Sequence, residues 1–391
     1  MNIKKILKDN LDNKRTLLGI GPMSKNCIDA SVELSDKYLI PLMLIASRRQ
    51  IDFKEIGGGY VENWSTDQFS KYVEKKSKKK QILLCRDHGG PWQNNLEIEK
   101  NFDIKKAMES AKRSYMEDIK NNFKVIHIDP SIPPKKGIII STKDILSRAF
   151  ELMEFCYAYS KKINKEILFE IGTEEQSGST NSFEEIEYYL NKIKIFCTKN
   201  NIPFPCFIVI QSGTKVIETE NIGSFESPIR IKKEIPPEIQ IFKALELCEK
   251  YGVWMKEHNA DYLSNESLKW HPRIGIHAVN VAPEFGVTET RTFVDTLKKN
   301  NLNKELNLFY EISYKSEKWK KWMKKNTIKS DKEKAIISGH YVFSKPEFIE
   351  LKNQVKYDLK KKNIDLEKIL KEAVKNNIMR YLKNFRLVGN E

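Results

Sequence analysis

Short apolar runs recur through the first 290 residues, at 17–20, 42–46, 81–85, 123–128, 167–171, 206–210, 253–256 and 274–279. Most of them close on polar or charged residues: Ser47-Arg48-Arg49, Arg86-Asp87-His88, Asp129, Gln211-Ser212-Gly213, Glu257-His258-Asn259 and Asn280 among them. Between the runs the apolar spacing turns helical. A short helix is expected over 3–15, another over 26–37 with Ile28, Val32 and Leu34 on one face, and a strongly charged one over 103–121. Run and helix alternating eight times predicts a (β/α)₈ TIM barrel over residues 1–300. Residues 301–391 then form a helical extension packed on the barrel. Its expected helices, 304–325 and 356–385, are dense in Lys and aromatics, Trp319 and Trp322 included.

Barrels of this kind build their sites at the C-terminal ends of the strands. Here those ends carry Asp87, His88, Asp129, Glu174, Gln211, His258 and Asn280. Side chains alternate along a strand, so Asp87 and His88 are expected to face opposite sides, one toward a metal and one toward substrate. His88 and His258 on opposite walls, with an oxygen donor such as Gln211, can hold a divalent ion. His127 and His277 lie inside their runs and read as barrel-interior or packing residues. Lys256 is the nearest candidate for a Schiff base, but beside Glu257-His258 it reads as an ion-pair residue. Long connections at 50–65, 132–137, 173–182 and 219–237 are expected around the barrel mouth. Gly57-Gly58-Gly59 lacks the Gly-Lys-Ser/Thr that would make it a phosphate loop.

Composition narrows the partners. Lys and Arg outnumber Asp and Glu by 68 to 53, a formal charge of +15. The excess is mostly Lys spread along helices, without a zinc-finger or RNA-binding motif, so nucleic acid is not expected and a phosphorylated small molecule is. Six cysteines without a CxxC pair point to buried thiols in a reducing, cytoplasmic setting. The first residues lead into a polar helix, and no apolar stretch reaches the roughly 20 residues that span a bilayer, so no membrane association is expected.

The strings Gly57-Gly58-Gly59-Tyr60, Leu84-Cys85-Arg86-Asp87-His88-Gly89-Gly90-Pro91, His127-Ile128-Asp129-Pro130-Ser131, Ile171-Gly172-Thr173-Glu174, Val209-Ile210-Gln211-Ser212-Gly213 and Glu257-His258-Asn259-Ala260-Asp261-Tyr262 occur in that order. Over roughly 17–300 they resemble the accessory-type subunit of class II tagatose-bisphosphate aldolase, and more distantly the catalytic class II aldolases. The resemblance implies divalent-metal retro-aldol chemistry on a ketose phosphate, as an aldolase or a 4-epimerase, with Mg²⁺, Mn²⁺ or Zn²⁺. It makes Asp87 the group that exchanges the C4 hydroxyl proton, with Glu174 and Asp129 also catalytic, and His88 and His258 metal ligands. Gln211 stands where the catalytic enzymes have a third His, which favours a harder or more weakly held ion. Asp261 and Pro283 stand where those enzymes have the Ser and Thr that hold a C1 phosphate, implying a C1 hydroxyl instead. Substrate contacts are expected from Ser47, Arg48, Arg49, Gly213, Asn259, Asp261 and Asn280, the arginines either gripping an acidic far end or pairing with a neighbouring Glu or Asp. The same resemblance allows a non-catalytic role beside a separate aldolase subunit, or a homo-oligomer.

Overall fold

In the computed structural model, which describes residues 3–135, 138, 140–172, 180–226 and 236–389, eight parallel strands close into a barrel. They are β1 (Leu17–Ile20), β2 (Leu42–Ser47), β3 (Ile82–Gly89), β4 (Val125–Ile128), β5 (Leu168–Ile171), β6 (Phe207–Val209), β7 (Trp254–Glu257) and β8 (Ala278–Val281). Each pairs with its sequence neighbours, and β8 closes on β1 with Leu17 beside Ala278. The (β/α)₈ expectation is correct. Among the described residues no helix is long and apolar enough to cross a membrane.

Period-two alternation sorts the strand residues. One set, including Leu18, Leu44, Leu84, Ile126, Phe169, Met255 and Val279, packs outward in the large core cluster that contains the surrounding helices. The other set, Leu17, Met43, Leu83, Cys85, Val125, Leu168, Phe207 and Ala278, forms a separate inner cluster at the start of the strands. One step of two further along, the same inward row becomes polar: Asp87, His127, Glu170, Lys256 and Asn280. An apolar floor therefore carries a charged layer.

Helices begin where short polar side chains cap them. Ser24 accepts from Cys27 N–H ahead of Lys25–Tyr38, Asp103 from Lys106 N–H ahead of Ile104–Lys120, and Ser264 from Ser267 N–H ahead of Asn265–Ile274. That last helix takes up the start of the run expected at 274–279, so β8 starts only at Ala278.

The C-terminal region also departs from expectation. The helix expected over 304–325 ends at Lys315; Glu317 turns into the left-handed region and a 3₁₀ turn, Lys320–Trp322, follows. The helix expected over 356–385 is two, Pro346–Lys360 and Leu366–Asn384, split where Asn363 takes φ +57° and Asp365 caps the second helix through Lys368 N–H. The last helix returns to the barrel, where Val374, Ile378, Tyr381 and Leu382 join the main core. Phe293, Phe309, Phe348, Val355 and Leu370 build a second core under the extension.

Candidate active site

Asp87, His127, Glu170 and His258 bring their ligand atoms within 4.8 Å of one another at the C-terminal end of the barrel. Two of the four, Asp87 and His258, are among the residues expected at strand ends. His127, expected as a barrel-interior or packing residue, points into the barrel and into this cluster. Glu170 carries no such signal in the sequence. It lies beside His127 in the β4–β5 register.

Local backbone explains the gathering. The β3–β4 register shifts between Arg86 and Gly89, and His88 takes φ +43°, a bulge that re-aims its side chain. Asp87 and His88 therefore do not diverge as simple alternation predicts. His88 Nε2 lies 3.8 Å from Asp87 Oδ2, and its ring centroid is 5.4 Å from that of His127 and 5.1 Å from that of His258. Gly172 leaves the room that His127 needs, since a Cβ there would stand 2.5 Å from His127 Nε2. On β1, a Cβ at Gly19 would meet Asn280 Oδ1 at 2.3 Å.

Hydrogen bonding in the cluster is incomplete. His127 Nδ1 accepts from His88 N–H at 3.1 Å, while its Nε2 is buried with no partner, as is Asn280 Oδ1. His258 Nε2 lies 3.1 Å from Glu170 Oε1, an acceptor, and 3.0 Å from Asn280 Nδ2, a donor. A proton on that nitrogen suits the carboxylate and opposes the amide; its absence does the reverse. A lone pair offered to a cation removes the conflict with the carboxylate. Two imidazoles and two carboxylates are a donor set that Zn²⁺ and Mn²⁺ accept, so these residues could hold a divalent ion.

Charge is distributed to match. Burial alone would raise the Asp87 pKa, but His88, His127 and His258 outweigh it and hold the carboxyl far below its usual range. Burial also opposes ionisation of Glu170, yet Lys256, with Nζ 2.6 Å from Oε2, and the two histidines bring it down to about 2. Lys256 is thus an ion-pair residue, paired with Glu170. Against burial, Asp87 and Asp129 raise His88 to about 9, whereas for His258 burial wins and lowers it.

The remaining expected residues divide. Asp129 accepts from Gln93 Nε2 and Ser131 Oγ and holds His88 Nδ1 at 2.7 Å, so it orients His88, which stands beside the four clustered donors and is not one of them. Ser47, Arg49, Asn259, Asp261 and Asn280 line a cavity of about 160 Å³ above the cluster, together with Asp87, His88 and His258. Arg48 does not reach it. Its guanidinium is fully buried among Asp52, Glu97, Ser110 and the Gly90 carbonyl. Gln211 is buried after β6, where its backbone N–H and carbonyl both hold Asn181. Gly213 shapes its loop, at φ +87° with its carbonyl accepting from Phe225 N–H. Glu174 lies outside the described residues.

Asp261 has a further role. Its Oδ1 accepts from Ala282 N–H at 2.9 Å and Glu284 N–H at 2.8 Å, at the start of helix Pro283–Lys299. Burial first, and neighbouring Glu284 second, push its carboxyl up to about 8.

The extension roofs the cavity. Lys321, Trp322 and Tyr341 line it opposite the strands. Glu218 N–H, in the hairpin after β6, donates to the Trp322 carbonyl at 2.7 Å. Ser344 Oγ donates to the Tyr60 carbonyl at 2.7 Å, and Asn63 Nδ2 to the Ser344 carbonyl at 3.1 Å. These last two bonds tie the 50–65 connection to the extension.

No protein-family model and no curated protein matches the chain. Solved structures do. A probable tagatose 6 phosphate kinase from Sinorhizobium meliloti 1021 superposes with a TM-score of 0.70 at 15% identity, covering 96% of this chain and 100% of that one. A fructuronate-tagaturonate epimerase from Cohnella laeviribosi gives 0.59 at 10% identity, over 95% and 81%. Fructose-bisphosphate aldolase from Campylobacter jejuni gives 0.58 at 11%, over 99% and 94%. At these identities the likeness is one of fold, a barrel shared with sugar aldolases and an epimerase.

Proposed function

We propose that the protein is a divalent-metal-dependent enzyme that breaks and remakes the C3–C4 bond of a ketose monophosphate, as a 4-epimerase or an aldolase. The observation that carries this reading is the four-donor cluster of Asp87, His127, Glu170 and His258 beneath a roofed cavity. The order of the motifs, from Gly57 through to Tyr262, supports kinship with the accessory-type tagatose-bisphosphate aldolase subunits. His127, Glu170 and His258 would hold the ion, with Asp87 at its edge. When bound, it would supply Lewis acidity toward the ketose carbonyl oxygen.

The chain's own groups do the rest. Asp87 takes the proton of the C4 hydroxyl as the C3–C4 bonding pair moves into the C2 carbonyl, leaving an enediolate and an aldehyde. If the aldehyde turns and C3 attacks its other face, Asp87 returns the proton and C4 is inverted. If the aldehyde leaves, the reaction is a lyase. His88, oriented by Asp129, stands beside Asp87 to exchange that proton. The roof of Trp322 and Tyr341 favours retention of the aldehyde, hence epimerisation.

Asp261 supports the monophosphate. Helix N–H groups that could grip a C1 phosphate already serve its carboxylate. With both N–H groups taken by Asp261, this position suits a hydroxyl better than a phosphate dianion.

The test is ¹³C NMR of fructose 6-phosphate with purified protein and Mn²⁺, Mg²⁺ or Zn²⁺, with EDTA and His258→Ala as controls. Metal-dependent tagatose 6-phosphate is expected, and free trioses would mark the lyase branch. An unchanged spectrum with every metal would sink the reading.

A further inference from the structure

The cavity's arginine and lysine, Arg49 and Lys321, come from the loop after β2 and from the extension, whereas Asp87 and His88 neutralise each other on the strand side. Arg49 follows Arg48, which turns away into its own buried ion pairs. Among the described residues neither Arg49 nor Lys321 forms an ion pair. Lys321 is instead held over aromatic faces, its Nζ 4.6 Å from the Trp322 ring centroid and 5.0 Å from that of Tyr341. Those faces are themselves fixed: Trp322 Nε1 donates to Tyr341 Oη at 3.1 Å, and Tyr341 packs edge-on against Tyr60 at 4.8 Å. An arginine and a lysine lining one cavity, the lysine seated on rigid rings, form a socket for an anion.

We infer that Arg49 and Lys321 form an anion subsite for the acidic end of the substrate, so that the C-terminal extension sets substrate class. This rests on the proposed sugar chemistry at the strand side. The ligand is a ketose whose end remote from the carbonyl carries a phosphate or a carboxylate; a guanidinium fork and an ammonium serve either. The barrel supplies the chemistry, and the turn Lys320–Trp322 supplies half of the recognition.

Binding, read by titration calorimetry in the presence of Mn²⁺, tests this on the full chain with three probes: fructose 6-phosphate, fructuronate and neutral fructose. Wild type is expected to bind one of the two anions at least tenfold more tightly than fructose, and the preferred one identifies phosphate or carboxylate. Lys321→Gln and Arg49→Gln should each lose roughly tenfold or more for that anion and leave fructose unaffected, the loss of one charged hydrogen bond. Lys321 lies on the roof, so its variant reads the subsite even if Arg49→Gln disturbs the β2 loop. Fructose binding as tightly as both anions, or Lys321→Gln weakening fructose and anion alike, would overturn the inference. Since the readout is binding, a protein that leaves fructose 6-phosphate unconverted still answers the question.

Discussion

Arg86 and Asp87 are adjacent on one strand and enter two opposite kinds of buried charge. Arg86 points outward. Its Nε and Nη2 meet both oxygens of Asp118 at 2.7 and 2.5 Å, and Nη1 donates to the Ala46 and Ile51 carbonyls at 2.8 Å each. Asp87 points inward, to three imidazoles and an amide whose demands conflict, with His127 Nε2 and Asn280 Oδ1 left unpartnered. The Arg86 pair is fully buried, and Asp87, His127, Glu170 and His258 nearly so. The first is paired in the bidentate manner that makes a buried ion pair tolerable. The second is poorly satisfied by protein alone, and its four donors could hold a divalent ion. Between these two groups it is the completeness of hydrogen bonding, more than burial or charge, that differs.

That contrast can be broken at several points. Replacing one partner of the satisfied pair should cost most. Arg86→Ala leaves Asp118 buried and uncompensated and should lower folding stability by about 3–5 kcal/mol in urea titrations. The double change Arg86→Met with Asp118→Leu should recover much of that. The inward cluster should divide differently between activity and stability. Asp87→Asn should cost roughly 10²–10⁴-fold in turnover, the usual range for a general base, while its urea midpoint falls by less than that of Arg86→Ala. A large stability loss in Asp87→Asn would erase the distinction. Ligand linkage comes next. Mn²⁺ at about a hundred times its dissociation constant should stabilise wild type by about 2.7 kcal/mol, and EDTA should reverse it. Glu170→Gln should remove that shift; Arg48 and Arg86 variants that still fold should keep it.

The smallest effect concerns a buried histidine with no charged partner. His340 sits under Gly286 and Tyr341 with both ring nitrogens unpartnered, and burial pulls it from 6.5 to about 3. A histidine depressed in the folded state leaves the unfolded chain binding more protons, so its contribution is intact above pH 6.5 and is lost as pH falls toward 3. His277, lowered to about 4 by burial, acts in the same direction. His340→Met should therefore flatten the acid side of the stability curve, by about 1.4 kcal/mol at about pH 5.5 relative to about pH 8, measured by urea titration at both pH values.

Much of this is legible in the sequence. The barrel follows from the apolar runs, because each strand is buried on both faces and must be short and apolar. Asp87, His258, Asn280 and Asp261 stand out because they end or follow strands. His127 and Glu170 escape notice because they lie inside the runs, where a polar residue reads as packing. Counting by twos would find them: from Val125 to His127, and from Leu168 to Glu170, the inward row turns from apolar to ionisable. The turn of His88 cannot be counted this way, since a bulge breaks the period at that point. Nor can the roof. Nothing local in Lys320–Trp322 announces a site; only the bond from Glu218 and the packing on Tyr341 bring it over the mouth.

Equilibrium dialysis against Mn²⁺, with wild type, Glu170→Gln and a folded Arg48 variant in parallel, tests the central claim most directly. One tightly held ion per chain is expected in wild type and in the Arg48 variant, and a large loss of affinity in Glu170→Gln. Absence of a bound ion in wild type, or undiminished binding by Glu170→Gln, would contradict the assignment of the inward cluster as a metal centre.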